Sequence, residues 1–290
     1  MIKAERLENK RAGIIRKIYL ILLFLIAAVI AVICLFPLYW MVISAIRPNS
    51  ETFVTTLELL PHRLTTENFD YVSAAIPLLS TYGKSLLVTL SRTGLTLFFA
   101  SLAGFAFAKL RFSFRNGLFL IVLFTMTIPF ESIVLPSYMA MVKIKWADSY
   151  WPLIIPFIAD PFAIFMMRQY IKAVPDSLVE SARLDGASYF RIYRSIIVPV
   201  IAPAFITLTI FVFRSSWNDF LWPLVIIRTP EKQMFMVRIN NLPPIDSAIR
   251  DIPWGATMAS ACLACIPVLI LFLFLQRYFI AGAMKGSVKE

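Results

Sequence analysis

Residues 18–46 contain no charged side chain, and that single run constrains the fold more than any other feature of the chain. A helix needs about 20 largely apolar residues to cross the hydrocarbon core of a bilayer, so the run is read as a membrane span. Five further candidates follow: 85–108, interrupted only by Arg92; 117–142, containing Glu131; 150–167, containing Asp160; 200–227, with Arg214 and Asp219; and 254–275. The chain is 59% hydrophobic and 16% charged, where soluble domains carry about a quarter charged residues. The expectation is an all-α integral membrane protein with six transmembrane helices. It divides into an N-terminal tail (1–17), a membrane domain (18–277) and a C-terminal tail (278–290).

The net charge of +11 could suggest nucleic acid, but the basic residues are scattered among the loops rather than gathered on one face. They fit topology better. With the N-terminus inside, the inner segments hold Lys and Arg in roughly a two-to-one excess over the outer ones, which predicts both termini and residues 170–199 in the cytoplasm. A cleaved secretory signal is the alternative reading of the first span. Its apolar core would be about 7 to 15 residues with a small-residue cleavage site, whereas this run is far longer and ends in "PLYWMVISAIRP".

Catalytic chemistry finds little support. The only histidine, His62, follows Pro61 in an outer loop with no cysteine near it, so a metal site is not expected. Cys262 and Cys265 lie inside the sixth apolar run and Cys34 inside the first, which favours small residues on a helix face over a redox or zinc pair. The "GKS" at 83–85 lacks the glycine a phosphate-binding loop requires five positions earlier, where Leu78 stands. A membrane-embedded enzyme would need a catalytic constellation at one depth, and no nucleophile–base pair offers one.

One polar island stands out, "ESARLDGASYFRIYRSIIVP" at 180–199. Pro175 should stop the preceding helix, and Ser177 with Glu180 three residues later reads as a capping box opening a new one, with Glu180 in its first turn. Gly186 supplies a left-handed terminus, "ASYFRIYRSII" restarts a helix with Phe190, Ile192, Tyr193, Ile196 and Ile197 as apolar contacts, and Pro199 marks the return to the membrane. A short helix, bend and second helix mixing charge with aromatic residues suits docking to a soluble partner; an ordinary re-entry loop is the alternative.

The run E-S-A-R-L-D-G, nine residues, then I-I-V-P resembles the E-A-A-x3-G-x9-I-x-L-P signature of permease subunits of binding-protein-dependent ABC importers. Glu180, Ala182, Gly186, Ile196 and Pro199 match, while Ser181 replaces Ala and Val198 replaces Leu. "AFAKLRF" at 106–112, "WNDFLWPL" at 217–224 and "QRYFIAGAMKGSVK" at 276–289 are similar to the carbohydrate-uptake class, and most resemble the smaller permease of the maltose-transporter type. The resemblance implies the type I importer permease fold and a chain that translocates a sugar or oligosaccharide across a bacterial or archaeal cytoplasmic membrane. It implies a second permease subunit, two ATPase subunits that bind ATP and magnesium, and an extracytoplasmic solute-binding protein, with no cofactor in this chain. It makes Glu180 to Gly186 a coupling helix, with Ser181, Ala182, Asp185, Ala187, Ile196 and Pro199 completing the ATPase contact. A permease for glycerol phosphate is the alternative.

Ionisable residues within spans face a bundle interior or a watery cavity, so Arg92, Glu131, Asp160, Arg214 and Asp219 are pore-side or interhelix candidates. "SSWNDFLW" adds Trp217, Asn218 and Trp222 as candidate sugar contacts by stacking and directed hydrogen bonds; architecture is the alternative role. Pro152, Pro156 and Pro161 are expected to break the fourth span, tolerable where neighbours satisfy the freed carbonyls. The outer loops at 47–83 and 228–253 are too short for a separate domain; the binding protein is their expected contact, and simple capping of the spans is the alternative.

Overall fold

The computed structural model describes residues 2–48, 51, 58–244 and 253–287, with side chains for 16–48, 51, 58–244 and 253–277. Every described element is helical. In chain order these are α1 (Ile2–Ala45), α2 (Glu67–Ala75), α3 (Leu78–Lys109), α4 (Arg115–Thr125), α5 (Phe130–Lys143), α6 (Trp151–Ile154), α7 (Pro161–Lys172), α8 (Asp176–Leu184), α9 (Tyr189–Ile192), α10 (Val198–Val200), α11 (Ala202–Trp217), α12 (Leu221–Ile226), α13 (Phe235–Asn240) and α14 (Trp254–Ser287). A π-helical turn over Tyr193–Ile197 joins α9 to α10, and short 3-10 turns occupy Ile155–Phe157 and Pro230–Lys232.

Among the described residues four helical stretches are long and apolar enough to cross a membrane, and up to six if each of two bent pairs forms one span. The first, second and sixth predicted spans are continuous in α1, α3 and α14. α1 begins at Ile2 and α14 reaches Ser287, so the helices continue into both regions read as tails. The third span is not one helix: α4 and α5 are bent by 100°. Pro129 supplies the cause. It has no N–H to donate and disfavours helix at Ile128, and the Thr125 and Thr127 hydroxyls donate to the Val122 and Phe124 carbonyls beside the break. The fifth span is broken twice: α10 meets α11 at 78° near Ile201, and α11 stops at Trp217, leaving Asp219 in a connection rather than in a helix.

The chain divides into two units, residues 1–72 with 243–262 and residues 73–242 with 263–290. In the first, Asn68 donates to the Ala45 and Arg47 carbonyls at the end of α1. Buried Arg47 lies over the Trp40 ring and donates to the Glu58 carbonyl at 3.0 Å. Ala256, Ala259 and Ser260 form a buried small-residue face at the start of α14, and the Cys262 thiol lies 3.8 Å from the Met41 carbonyl.

The second unit is built on α3 packed against α7 and α11. α3 and α7 approach so closely that a Cβ on Gly104 would stand 2.7 Å from the Met167 Cβ and 2.9 Å from the Arg168 nitrogen; small residues at crossings are how membrane helices gain packing when no hydrophobic drive exists between them. One buried cluster runs from Ala100 and Phe105 of α3 through Ala163, Met167 and Ile171 of α7 to Val179, Ile192, Tyr193 and Ile197 of the island, and on to Leu208 of α11. α13 falls in a stretch read as loop from the sequence. Its Phe235 is buried, 4.3 Å from the Tyr82 ring and 6.1 Å from Trp217. Parts of both outer loops lie outside the described residues.

Candidate functional site

Two regions carry the candidate residues. The first begins at the proline breaks. A proline removes the N–H that would bond the carbonyl four residues earlier, and in a membrane that carbonyl has no water to turn to. Pro156 frees the Pro152 carbonyl, and the Trp222 indole N–H donates to it at 2.9 Å. The helix is interrupted over 158–160, before Pro161 opens α7, and the Phe157 carbonyl at that break accepts from the Thr96 hydroxyl at 3.0 Å. Pro267 frees the Leu263 carbonyl, and the Tyr82 hydroxyl donates to that one, while the Trp217 indole N–H donates to the adjacent Ala264 carbonyl at 2.9 Å. Asp160 accepts from the Ala163 N–H at 2.7 Å and so caps the helix that restarts after the break.

The charges sort accordingly. Arg92, buried midway along α3, lies 3.2 Å from the Asp219 carboxylate with its guanidinium 3.6 Å above the Phe157 ring. Asp219 also accepts from the Trp222 backbone N–H. Arg92 and Asp219 therefore join α3, the broken fourth span and the α11–α12 connection, while Asp160 caps α7 within that span. Trp217 and Trp222 are almost fully buried, stacked among Phe213 and Phe235 in one case and edge-on to Phe130 in the other, so neither ring presents a face at the surface of the chain. Glu131 in the first turn of α5, Arg214 and Asn218 are exposed. Phe211, Arg214, Ser215 and Asn218 are all exposed at helical spacing, a polar stripe with one aromatic ring along α11.

At one end of this unit a carboxylate ties two loops. Asp148 accepts from the Thr229 hydroxyl at 2.6 Å, the Thr229 and Arg228 N–H groups at 2.9 Å each, and the Lys232 ammonium at 2.9 Å. The Thr229 hydroxyl above all, then the Thr229 N–H and Lys232, hold its carboxyl below the usual carboxylate range.

The second region is the island. Pro175 stops α7 as expected, but α8 starts at Asp176 with Pro175 in the capping position and no side-chain cap. The Ser177–Glu180 capping box does not form, because Pro175 is already locked in the extended conformation and places Ser177 inside the first turn. Glu180 therefore lies in the second turn. The first-turn negative charge is supplied by Asp176, whose carboxylate is 2.5 Å from the Lys109 ammonium at the end of α3 and is held below its ordinary pKa by that bond. Gly186 has φ +78°. The Ala187 N–H donates to the Ala182 carbonyl at 2.9 Å and the Gly186 N–H to the Arg183 carbonyl at 3.1 Å, the paired bonds of a helix end that turns through a left-handed residue. A Cβ at Gly186 would meet nothing within 4 Å, so backbone conformation and not space demands glycine.

Ser188 then caps α9, and the chain passes into the π turn. Pro199 lies within α10 rather than at its end; its missing N–H leaves the Ser195 carbonyl without its usual partner, and the Val198 N–H bonds back to Tyr193. Ile192, Tyr193 and Ile197 are buried against α3 and α7, with the Tyr193 and Ser101 hydroxyls 2.6 Å apart. Ala182, Ala187 and Ile196 pack on the same core. Glu180, Ser181, Asp185 and Pro199 are exposed, as are Leu178, Leu184, Tyr189 and Phe190. The unpredicted signal here is Val179, the one residue of α8 buried into the span core.

The family model for the binding-protein-dependent transport system inner membrane component matches residues 97–285. The arabinooligosaccharides transport system permease protein of Halalkalibacterium halodurans is 36% identical over 269 residues, covering 90% of this chain and 94% of that one. The sn-glycerol-3-phosphate transport system permease protein of Salmonella typhimurium is 31% identical over 264 residues, covering 89% and 93%. A crystal structure of a bacterial ABC transporter involved in the import of the acidic polysaccharide alginate superposes with TM-score 0.79 at 23% identity, covering 91% of this chain and 97% of that one.

Proposed function

The chain belongs to the family of binding-protein-dependent transport system inner membrane components, and on that premise we propose that it carries a sugar or an oligosaccharide inward as one permease of a two-permease path. The family is a transport family, and the chain is a multi-pass membrane permease of an ABC importer. The sugar class is supported by the higher identity to the arabinooligosaccharide permease than to the glycerol phosphate one. The partners are a second permease, two ATPase subunits that hydrolyse ATP, and an external binding protein that delivers the solute.

The observation that carries the coupling role is the division of labour within the island. Val179, Ile192, Tyr193 and Ile197 fuse it to the core of α3 and α7, while Leu178, Leu184, Tyr189 and Phe190 present apolar surface beside Glu180, Ser181 and Asp185. Apolar side chains exposed outside the spans are what a soluble partner would cover. A stiff helix anchored on the spans passes closure of that partner to them as a rigid-body tilt. Both termini and the island face the cytoplasm, where the excess of Lys and Arg belongs.

The stripe of Phe211, Arg214, Ser215 and Asn218 on α11, together with Glu131, faces the path against the second permease. Trp217, Asp219 and Trp222 position that stripe through the bonds to Ala264, Arg92 and Pro152. The test is uptake in cells lacking this chain and in cells complemented with it, using labelled arabino-oligosaccharides, maltodextrins and glycerol 3-phosphate. Complementation restores uptake of a saccharide; restoration of glycerol 3-phosphate alone would transfer the assignment to that solute.

A further inference from the structure

The turn between α3 and α4 lies outside the path and beside the coupling helix, its Arg111 and Arg115 lining one hollow together with Glu180, Leu184 and Tyr189. It links two membrane spans, so residues 110–114 emerge at the bilayer interface. Two aromatic rings stand out there, Phe112 at 41% exposure and Phe114 at 84%. Phe114 has φ +60°, a left-handed conformation that a bulky residue keeps only when its surroundings impose it. The Arg115 guanidinium does so from one side, donating to the Leu110 carbonyl at 3.0 Å, and the Leu118 N–H donates to the Phe114 carbonyl at 2.9 Å. A strained turn thus holds an aromatic ring outward, which is favourable only if an apolar medium receives it. Arg111 and Arg115 flank the ring. Both line a hollow of about 410 Å³ over the turn and a second of about 900 Å³ that Lys172 adjoins. Asp176 and Glu180 border the larger one, but Asp176 is matched by Lys109, so the basin keeps a cationic excess.

We propose that this turn is a binding site for an anionic phospholipid, with Phe114 entering the acyl region and Arg111, Arg115 and Lys172 holding the phosphodiester. Basic pockets between span ends suit such headgroups, and an aromatic ring at the interface fixes depth. The assembled transporter, exchanged into phosphatidylcholine and titrated with phosphatidylglycerol, is read by native mass spectrometry. Wild type retains phosphatidylglycerol in preference to phosphatidylcholine. Arg111→Gln with Arg115→Gln lowers that retention about thirtyfold, from the attraction of two cations near the surface, whereas Lys143→Gln with Lys145→Gln, an equal charge loss in another loop, leaves it unchanged. Phe114→Trp gives a second readout that needs no loss of charge: its emission is quenched by phosphatidylglycerol brominated near the glycerol end of its acyl chains. Equal losses in both double variants, no preference for the anionic lipid, no quenching, or displacement by millimolar inorganic phosphate would each overturn the proposal.

Discussion

Trp222→Phe tests whether the "WNDFLW" motif exists to repair the proline breaks. The substitution keeps a ring edge-on to Phe130, whose centroid is 5.7 Å from that of Trp222, but removes the N–H that reaches the Pro152 carbonyl. A buried carbonyl left without a donor costs about 1–3 kcal/mol, and the smaller ring adds a cavity contribution of about 1 kcal/mol. The two are separable because the orphaned carbonyl exists only while residue 156 is proline. Pro156→Ala returns an N–H four residues after Pro152, so in that background Trp222→Phe should cost only the cavity contribution. The four proteins are compared by unfolding in mixed SDS and mild detergent, followed by tryptophan emission and circular dichroism. A coupling of ~1 kcal/mol or more, with Trp222→Phe milder in the Pro156→Ala background, is expected. Costs that add within about 0.5 kcal/mol, as for independent sites, would refute the pairing of proline and indole.

Gly104→Ala should lower the yield of folded protein sharply, because its Cβ would meet the Met167 Cβ at 2.7 Å and backbone at 2.9 Å, an overpacking cost of about 1–3 kcal/mol; Gly94→Ala, with nothing within 4 Å, should be neutral or stabilising in the same fluorescence size-exclusion assay. Asp148 has a folded pKa lowered by Thr229 and Lys232, so its contribution is present at all pH values above the unfolded carboxylate value of about 3.9 and is lost as pH falls below it. Asp148→Asn should therefore destabilise the protein at pH 7 and abolish the part of the acid sensitivity that wild type shows below about pH 4, as read by protease sensitivity of the 144–150 loop. Asn218→Ala should change the relative initial uptake of two competing saccharides at unchanged subunit abundance, whereas Trp217→Ala should reduce abundance and depress both uptakes alike.

Much of the architecture is legible in the sequence because membrane spans announce themselves by length and absence of charge. All six runs appear as helical segments, and the prolines of the fourth span predict its break. The same physics was present at Pro129, yet the apolar composition of residues 117–142, with Glu131 its one charge, hid a 100° bend; hydropathy reports burial in lipid, not straightness. α13 escaped because its buried residues, Phe235, Val237 and Ile239, sit in a segment too short for either a span or a helical period to register. At the island, Gly186 carried its left-handed φ in its identity, whereas the start of α8 did not follow the capping box, since Pro175 settles the N-terminus before a side chain can compete. The pairing of Trp222 with Pro152, Thr96 with Phe157 and Tyr82 with Leu263 joins residues far apart in sequence, and no local pattern reveals a partner at that distance.

The central claim is that the island transmits the work of a partner ATPase to the spans, and Gly186→Val in proteoliposomes containing the assembled transporter and its binding protein tests it most directly. Valine is β-branched and disfavours φ +78°, so the end of α8 must re-form while the spans, which Gly186 does not touch, remain intact. ATP-driven uptake of labelled oligosaccharide is predicted to fall at least tenfold at equal amounts of assembled complex, a change of about 1.4 kcal/mol or more in coupling. Wild-type uptake by Gly186→Val at wild-type abundance would contradict the account.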